Sequence, residues 1–426
     1  MNHSLIEKKD PGRKHLVIGL DFGAAFTKVV IGDRRVKYAV PFTGVSHPDN
    51  PYLLPSILHV DEKNLCHLCS ADAAGSTKDN LKFPLLENAY TDEDLSRLAA
   101  FLALVFRAGT GWLLERYQKR YGHAELQWSV NAGLPVDNDS DSTLSDVYKN
   151  VLHTAWVISA LPGPVTLNRV RQYMNVDDNA FDAFPALYRS KIIKKEAIHT
   201  VAGCRAQICG YVHSKNCSDD LHMLIDVGAG SINIATFMVA NTRHATRDNK
   251  CTLYACTVEA IGVSYLLKRR YENLQLPDDE INLFKNIPDS SVFSQAHELT
   301  EKDIKFADTL YSGDAGRLIN RTMDQTRKQY CPDPASWENG IKTFVYGGGA
   351  HLEILQSIVH RLENKSPPHK ITSITLGVPD DLMVENLPEG SYDRLSLAYG
   401  LSFEAAEIAG VSRDEQIDDS EKIAEV

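Results

Sequence analysis

Two stretches some two hundred residues apart share one plan. Each has an apolar strand, an aspartate, one further residue, a glycine, a tight turn and a second apolar strand. The first covers residues 16–31 and carries Asp21-Phe22-Gly23-Ala24-Ala25-Phe26-Thr27-Lys28. The second covers residues 223–237 and carries Asp226-Val227-Gly228-Ala229-Gly230-Ser231. A chain that repeats this unit is expected to contain a duplicated α/β domain, each copy giving one loop to a shared cleft. Its 426 residues suffice for two domains of ordinary size.

The chemistry of the turns points to phosphate. Gly23 with Ala24 and Ala25 lets backbone N–H groups approach an anion unobstructed, and Thr27 and Lys28 follow on the return strand. Lys28 offers a point charge. Asp21 and Asp226, at strand ends, suit Mg²⁺ held through water, since that ion prefers oxygen ligands and keeps part of its hydration shell. Gly228, Ala229, Gly230 and Ser231 repeat the arrangement from the facing side. A third glycine turn, Gly347-Gly348-Gly349-Ala350, follows the apolar run Phe344-Val345-Tyr346 and precedes a helical pattern. It lacks an acid and is suited to a flat base and ribose lying against bare backbone.

Composition narrows the partners. With 43% apolar and 24% charged residues the chain is of globular type. A formal charge of −11 argues against a general nucleic-acid surface, so DNA would be reached only through an adaptor. The longest apolar run, Leu98 to Phe106, is about half of what a bilayer-spanning helix needs, and no membrane partner is expected. The polar N-terminus does not read as a secretory signal. The eight cysteines show no framework spacing, and the lone CxxC of Cys66 and Cys69 around His67 has no second pair. Reduced thiols and a cytoplasmic location are the expectation.

Patterning predicts strands at Leu16–Leu20, Val29–Ile31, Val36–Val40 and Leu53–Val60. Thr91-Asp92-Glu93-Asp94 reads as the cap of a long helix that Gly109 and Gly111 kink or end. A strand over Leu126–Ala132 runs into Gly133-Leu134-Pro135, with a helix near Ser145–Ser159. A strand within Ile192–Thr200 is followed by a helix over Ala202–Tyr211. The last helix is expected over Leu395–Ala409, before a tail of six acids and two bases.

The three turns, in this order, resemble the phosphate-one, phosphate-two and adenosine motifs of the actin/DnaK/hexokinase superfamily. Leu54-Pro55-Ser56 and Ala398-Tyr399-Gly400 resemble further segments of that group. Lys28, seven positions after Asp21, together with Gly133-Leu134-Pro135-Val136 and Ile261-Gly262-Val263-Ser264, is similar to bacterial actin-like proteins of the ParM type. The resemblance implies two actin-like, ribonuclease-H-like α/β domains. Each would be a mixed five-stranded sheet with flanking helices, and ATP with Mg²⁺ would lie between them. Domain I would span 15–200, completed by a C-terminal helix at 391–412, and domain II 201–390. Flexible tails would take 1–14 and 413–426.

It further implies a slowly hydrolysing ATPase that acts as a nucleotide-driven switch, with filament assembly or a protein partner as output. The alternative is a DnaK-like ATPase without a peptide-binding domain, working through a partner. A sugar kinase would need a substrate base in the cleft, and no candidate is visible. Asp21 and Asp226 are the acids expected near metal and attacking water. Glu196 is the expected water-orienting group, while a DnaK-style register puts Thr200 there instead. Asn233 stands where relatives carry an acid, which predicts slower hydrolysis. Lys82 matches the catalytic lysine of DnaK-type chaperones in position, but reads more simply as a solvent-exposed lysine. Ser231 either bonds a phosphate oxygen or merely closes its turn. His15, His199 and His351 adjoin motifs without metal-ligand spacing and read as surface or core histidines.

Overall fold

The computed structural model describes residues 12–68, 75–134, 142–174, 176, 184–240, 250–276 and 289–413. The expectations for Cys69, Pro135 and Val136, and for most of both tails, lie outside these residues.

Alternating and continuous apolar runs form two mixed sheets. In the first, the inner strand order is Val36–Ala39, Phe26–Asp33, Arg13–Phe22, Glu125–Leu134, Ile198–Ala202. The first three are antiparallel and the last three parallel. In the second, Lys250–Glu259, Ile232–Ala240, Asp220–Val227, Ile341–Tyr346 and Ile371–Ser373 repeat that order and those directions. The sheets are larger than the five strands expected. The short strands Leu382–Met383 and Leu54–Pro55 extend the first to seven, and Val411–Arg413 extends the second to six. A three-stranded sheet, Leu58–Asp61, Cys66–Leu68 and Gly75–Lys78, lies apart from both.

The strand expected over Leu53–Val60 is two strands, because Ser56 turns inward to bond Gly23 and Thr27. Of the strand expected within 192–200 only Ile198–Thr200 is extended, in a strand that runs on to Ala202 and follows a 3₁₀ turn at Lys195–Ala197.

The helix Asp92–Arg116 opens on a reciprocal cap. Asp94 N–H donates to Thr91 Oγ1 at 3.2 Å, and Thr91 N–H to Asp94 Oδ2 at 3.1 Å. It runs straight through Gly109 and Gly111, against expectation. Tertiary packing overrides the modest helix penalty of glycine, for the helix is buried on all sides over Leu98–Ala103 and packs in one core with the helix Ser142–Ala160. By length and composition this helix could cross a membrane. Each of its fully buried leucines instead contributes roughly 1.5–3 kcal/mol to the core.

The helices Gly203–Val212 and Ser396–Leu401 join the two sheets through one apolar cluster that includes Val30, Tyr399, Leu224 and Phe237. Backbone meets backbone here. A Cβ on Gly400 would lie 1.9 Å from Ala206 O, and one on Gly32 would lie 2.0 Å from Ser402 O. Asn131 Nδ2 donates to Leu401 O at 2.9 Å and Phe403 O at 2.7 Å. The expected single helix Leu395–Ala409 is therefore broken. Ser402 bonds Tyr399 O, Glu404 restarts a helix at Ala405–Ala409 with its N–H capped by Glu407, and Val411–Arg413 joins the second sheet.

His222, on the strand Asp220–Val227, stacks on Phe237 and Phe344 and bonds Tyr211 Oη at 2.9 Å. Burial pushes its imidazole down to about 4 from 6.5. The unfolded chain therefore binds the extra proton between these values, so stability falls as pH drops from about 6.5 towards 4. The expected result is that His222→Gln flattens this part of a pH series of urea midpoints. An unchanged slope would show that other groups set it.

Candidate functional site

Both hairpins end on an aspartate, and the register gives each aspartate a definite cross-strand partner. Asp21 faces Lys28, and Asp226 faces Asn233, each seven positions later in the chain. The equivalent place thus holds a cation in one hairpin and an amide in the other. Lys28 Nζ lies 2.6 Å from Asp21 Oδ2 and donates to Phe26 O at 3.2 Å.

The turns are closed by their own backbones. Gly23 N–H donates to Phe26 O at 3.1 Å and Gly228 N–H to Ser231 O at 2.9 Å. Among the described residues, the N–H groups of Ala24, Ala25, Ala229 and Gly230 donate to no protein acceptor. Such small-residue turns with bare donors are anion receptors. The run Ile261-Gly262-Val263-Ser264 supports the second turn from behind. Val263 and Ser264 N–H donate to Gly228 O at 3.0 Å and Ala229 O at 2.8 Å.

A cavity of about 390 Å³ opens between these turns. Asp21, Gly23, Ala24, Ala25 and Lys28 line it from one side, and Asp226 with Gly228, Ala229, Gly230 and Ser231 from the other. Gly347 and Gly348 of the third turn complete the wall. Gly347 has φ +88°, and a Cβ there would lie 2.4 Å from Asp226 Oδ1, so the third turn presses directly on the acid. Gly349 and Ala350 do not line the cavity. Gly349 N–H is spent on Val227 O at 2.9 Å, and Ala350 is buried. Thr27 is fully buried too, and acts through Ser56, which bonds Gly23 O at 2.8 Å.

Three sequence expectations need correction or addition. Glu196 is exposed on its 3₁₀ turn and lines no part of the cavity, because the strand that would carry it inward starts only at Ile198. Thr200 does not reach it either, and its hydroxyl pairs with Ser145 at 2.6 Å. Lys82 is not a solvent-exposed lysine. It caps the short helix Phe83–Leu86, reaches into the cavity and donates to Phe22 O at 2.5 Å.

The electrostatics are those of crowded charge. Burial, and then the charge of Asp21, push Asp226 up to about 6, while Lys28 and a 3.2 Å bond from Gln207 Nε2 pull it down. Burial lowers the Lys82 ammonium to about 8, opposed by Asp21 and Asp226. His351 Nε2 pairs with Asp393 Oδ2 at 2.8 Å at the rim of the cavity. Gln207, Asp393 and Arg394 are not legible as site residues in the sequence, since none sits in a glycine turn.

Two carboxylates, two ammonium groups and bare turn amides can hold a polyanion with a divalent cation. Among the described residues no cluster of three or more His, Cys, Asp or Glu forms a metal cage. Asp21 and Asp226 suit Mg²⁺, which binds through one or two carboxylates, water and substrate phosphates.

No family model matches the chain, and no curated protein matches it. Among solved structures it is similar to a non-polymerising mutant of MamK bound to AMPPNP, with a TM-score of 0.43 and 11% identity. The match covers 93% of this chain and 100% of that one. At that score and identity the likeness carries no weight for function, which rests on this chain's own residues.

Proposed function

We propose that this chain is an actin-like ATPase that binds Mg-ATP between two domains, 15–200 with 391–412 and 201–390, and hydrolyses it slowly. The observation that carries the reading is the single cavity lined by Asp21, Lys28 and Asp226 together with both small-residue turns. The turn amides and Lys28 would hold phosphates, and Asp226 would orient the attacking water with its charge intact above about pH 6. Bound Mg²⁺ would neutralise charge developing on the phosphate oxygens. Asn233 offers hydrogen bonds without charge, consistent with slow turnover. Because helices 203–212 and 396–401 tie both sheets to the cavity wall through Gln207 and Leu397, nucleotide state would bias their packing and act as a switch. Self-association into filaments is the output this reading favours.

A ligand of the folded state stabilises it by mass action, by about 2.7 kcal/mol at a hundredfold excess over Kd. Mg-ATP is therefore expected to raise the melting temperature by several degrees. Calorimetry without binding of ATP or ADP at millimolar concentration would remove the central claim.

Lys82 in the cavity favours a second reading, a chaperone-type ATPase switch working through a protein partner. Light scattering across a protein concentration series separates the two. Polymer above a threshold in Mg-ATP, lost in Mg-ADP, supports the actin-like reading, and an ATPase that never polymerises supports the switch.

A further inference from the structure

Arg394 sits on the 3₁₀ turn Ser391–Arg394, just before the helix Ser396–Leu401 that joins the two sheets. Its guanidinium lies 5.2 Å above the Phe26 ring of the first turn. The same group lies over the third turn, with Nη2 3.2 Å from where a Cβ of Gly348 would be. It therefore spans the cavity wall from the first hairpin to the third turn.

Among the described residues the guanidinium donates to no carbonyl, hydroxyl or carboxylate. Its neighbour Asp393 lies 2.8 Å from His351 Nε2 and acts on the guanidinium through charge alone, and Asp21 pairs with Lys28 at 2.6 Å. The planar group is held over the Phe26 ring by a cation–π contact and lines the cavity with its donors unused. Compare Arg270, which is more deeply buried and meets Asp308 through two hydrogen bonds at 2.8 and 3.0 Å. A half-buried cation left without an acceptor is costly unless an anion arrives. Burial lowers the Arg394 pKa, opposed by the charges of Asp393 and Asp21, and a guanidinium keeps its proton in proteins.

The geometry points to Arg394 as a phosphate-binding residue of this cavity, a planar donor that takes an oxygen of the nucleotide's phosphate chain. This rests on the nucleotide reading above and adds to it a contact from outside the three glycine turns. It fits Gly348, where a Cβ would crowd the guanidinium at 3.2 Å. It also makes the segment leading into the joining helix a direct reporter of phosphate.

The test uses the full chain with ATP and, separately, with inorganic tripolyphosphate, which has no base to stack. Arg394→Ala is expected to weaken both by on the order of tenfold to a hundredfold, the range for charge-assisted hydrogen bonds. The melting temperature without ligand should stay near that of the wild type. Arg394→Lys keeps the charge without the planar fork and should fall between, which covers the case of an alanine variant that folds poorly. Tripolyphosphate affinity unchanged in both variants overturns the inference, whether or not ATP binding drops through lost stacking on the base. A wild-type protein that binds ATP but not tripolyphosphate overturns it as well. If the wild type binds neither, the nucleotide reading itself fails.

Discussion

Asp226→Ala is expected to lower ATP turnover by roughly 10²–10³-fold while ATP affinity stays within about tenfold. Asp226 is 9% exposed at the end of its strand, wedged against Gly347, and its charge faces Asp21 across the cavity. A group so placed gains most when charge moves during reaction and little when substrate merely docks. Asp226→Asn keeps the shape and the Gln207 contact but removes the charge, so it should fall equally far.

The acid limb adds an independent check. With its pKa pushed up to about 6, Asp226 is mostly ionised at neutral pH and becomes protonated below that value. In the wild type, kcat/KM is expected to fall on the acid side of about 6, and this limb should vanish from the residual activity of Asp226→Asn. Glu196→Ala, exposed and outside the cavity, should turn over like the wild type. Wild-type turnover in either Asp226 variant would remove the assignment. A large loss in Glu196→Ala would mean that the working geometry differs from the one described.

A second large effect is expected at Gly400, which does not itself line the cavity. An added Cβ would lie 1.9 Å from Ala206 O and 2.4 Å from Ala206 C, both backbone atoms of the facing helix. No rotamer change relieves that contact, so the helices 203–212 and 396–401 must separate. Overpacking of this kind costs about 1–3 kcal/mol and sometimes more. Gly400→Ala should lose about 3 kcal/mol, roughly 6–12 °C in melting temperature on the scale of folding units of about 150–250 residues.

Because Gln207 lies on the displaced helix and bonds Asp226, ATP affinity should drop with it. Gly111→Ala is the control. That glycine is exposed within the helix Asp92–Arg116, with nothing within 4 Å of where its Cβ would lie, and the change should stabilise by about 0.4–1 kcal/mol. A Gly400→Ala protein melting within about 1 °C of the wild type would refute the close contact on which this rests.

Much of the fold was legible because local patterns carry it. Thr91 to Asp94 announced the long helix through side chains that bond only their own turn. The two strand–Asp–turn–strand units announced hairpins of matching register, since apolar alternation and a glycine turn fix both hand and pairing. The candidate site was legible where it is made of turn backbone, at residues 21–28 and 226–231. It was illegible where a side chain arrives from elsewhere in the chain. Lys82 could be matched by position to a chaperone lysine, but its inward reach was not legible, since the Phe22 carbonyl it bonds is some sixty residues away. Arg394 lies over the Phe26 ring from most of the sequence away.

Glu196 shows the reverse error. Its place just before a small-residue helix suggested an inward-facing acid, but the strand begins two residues later and leaves it in solvent. Gly109 and Gly111 likewise read as breakers, yet the buried stretch from Leu98 to Phe106 holds the helix through both. The sequence by itself determined the duplicated strand–turn units and the acids that end them, because those depend on neighbours in the chain and on periodicity. Only the tertiary structure decided which distant charges join Asp21 and Asp226, and why Gly400 must be glycine. Those outcomes depend on how two sheets and two joining helices close-pack, and no local pattern encodes that packing.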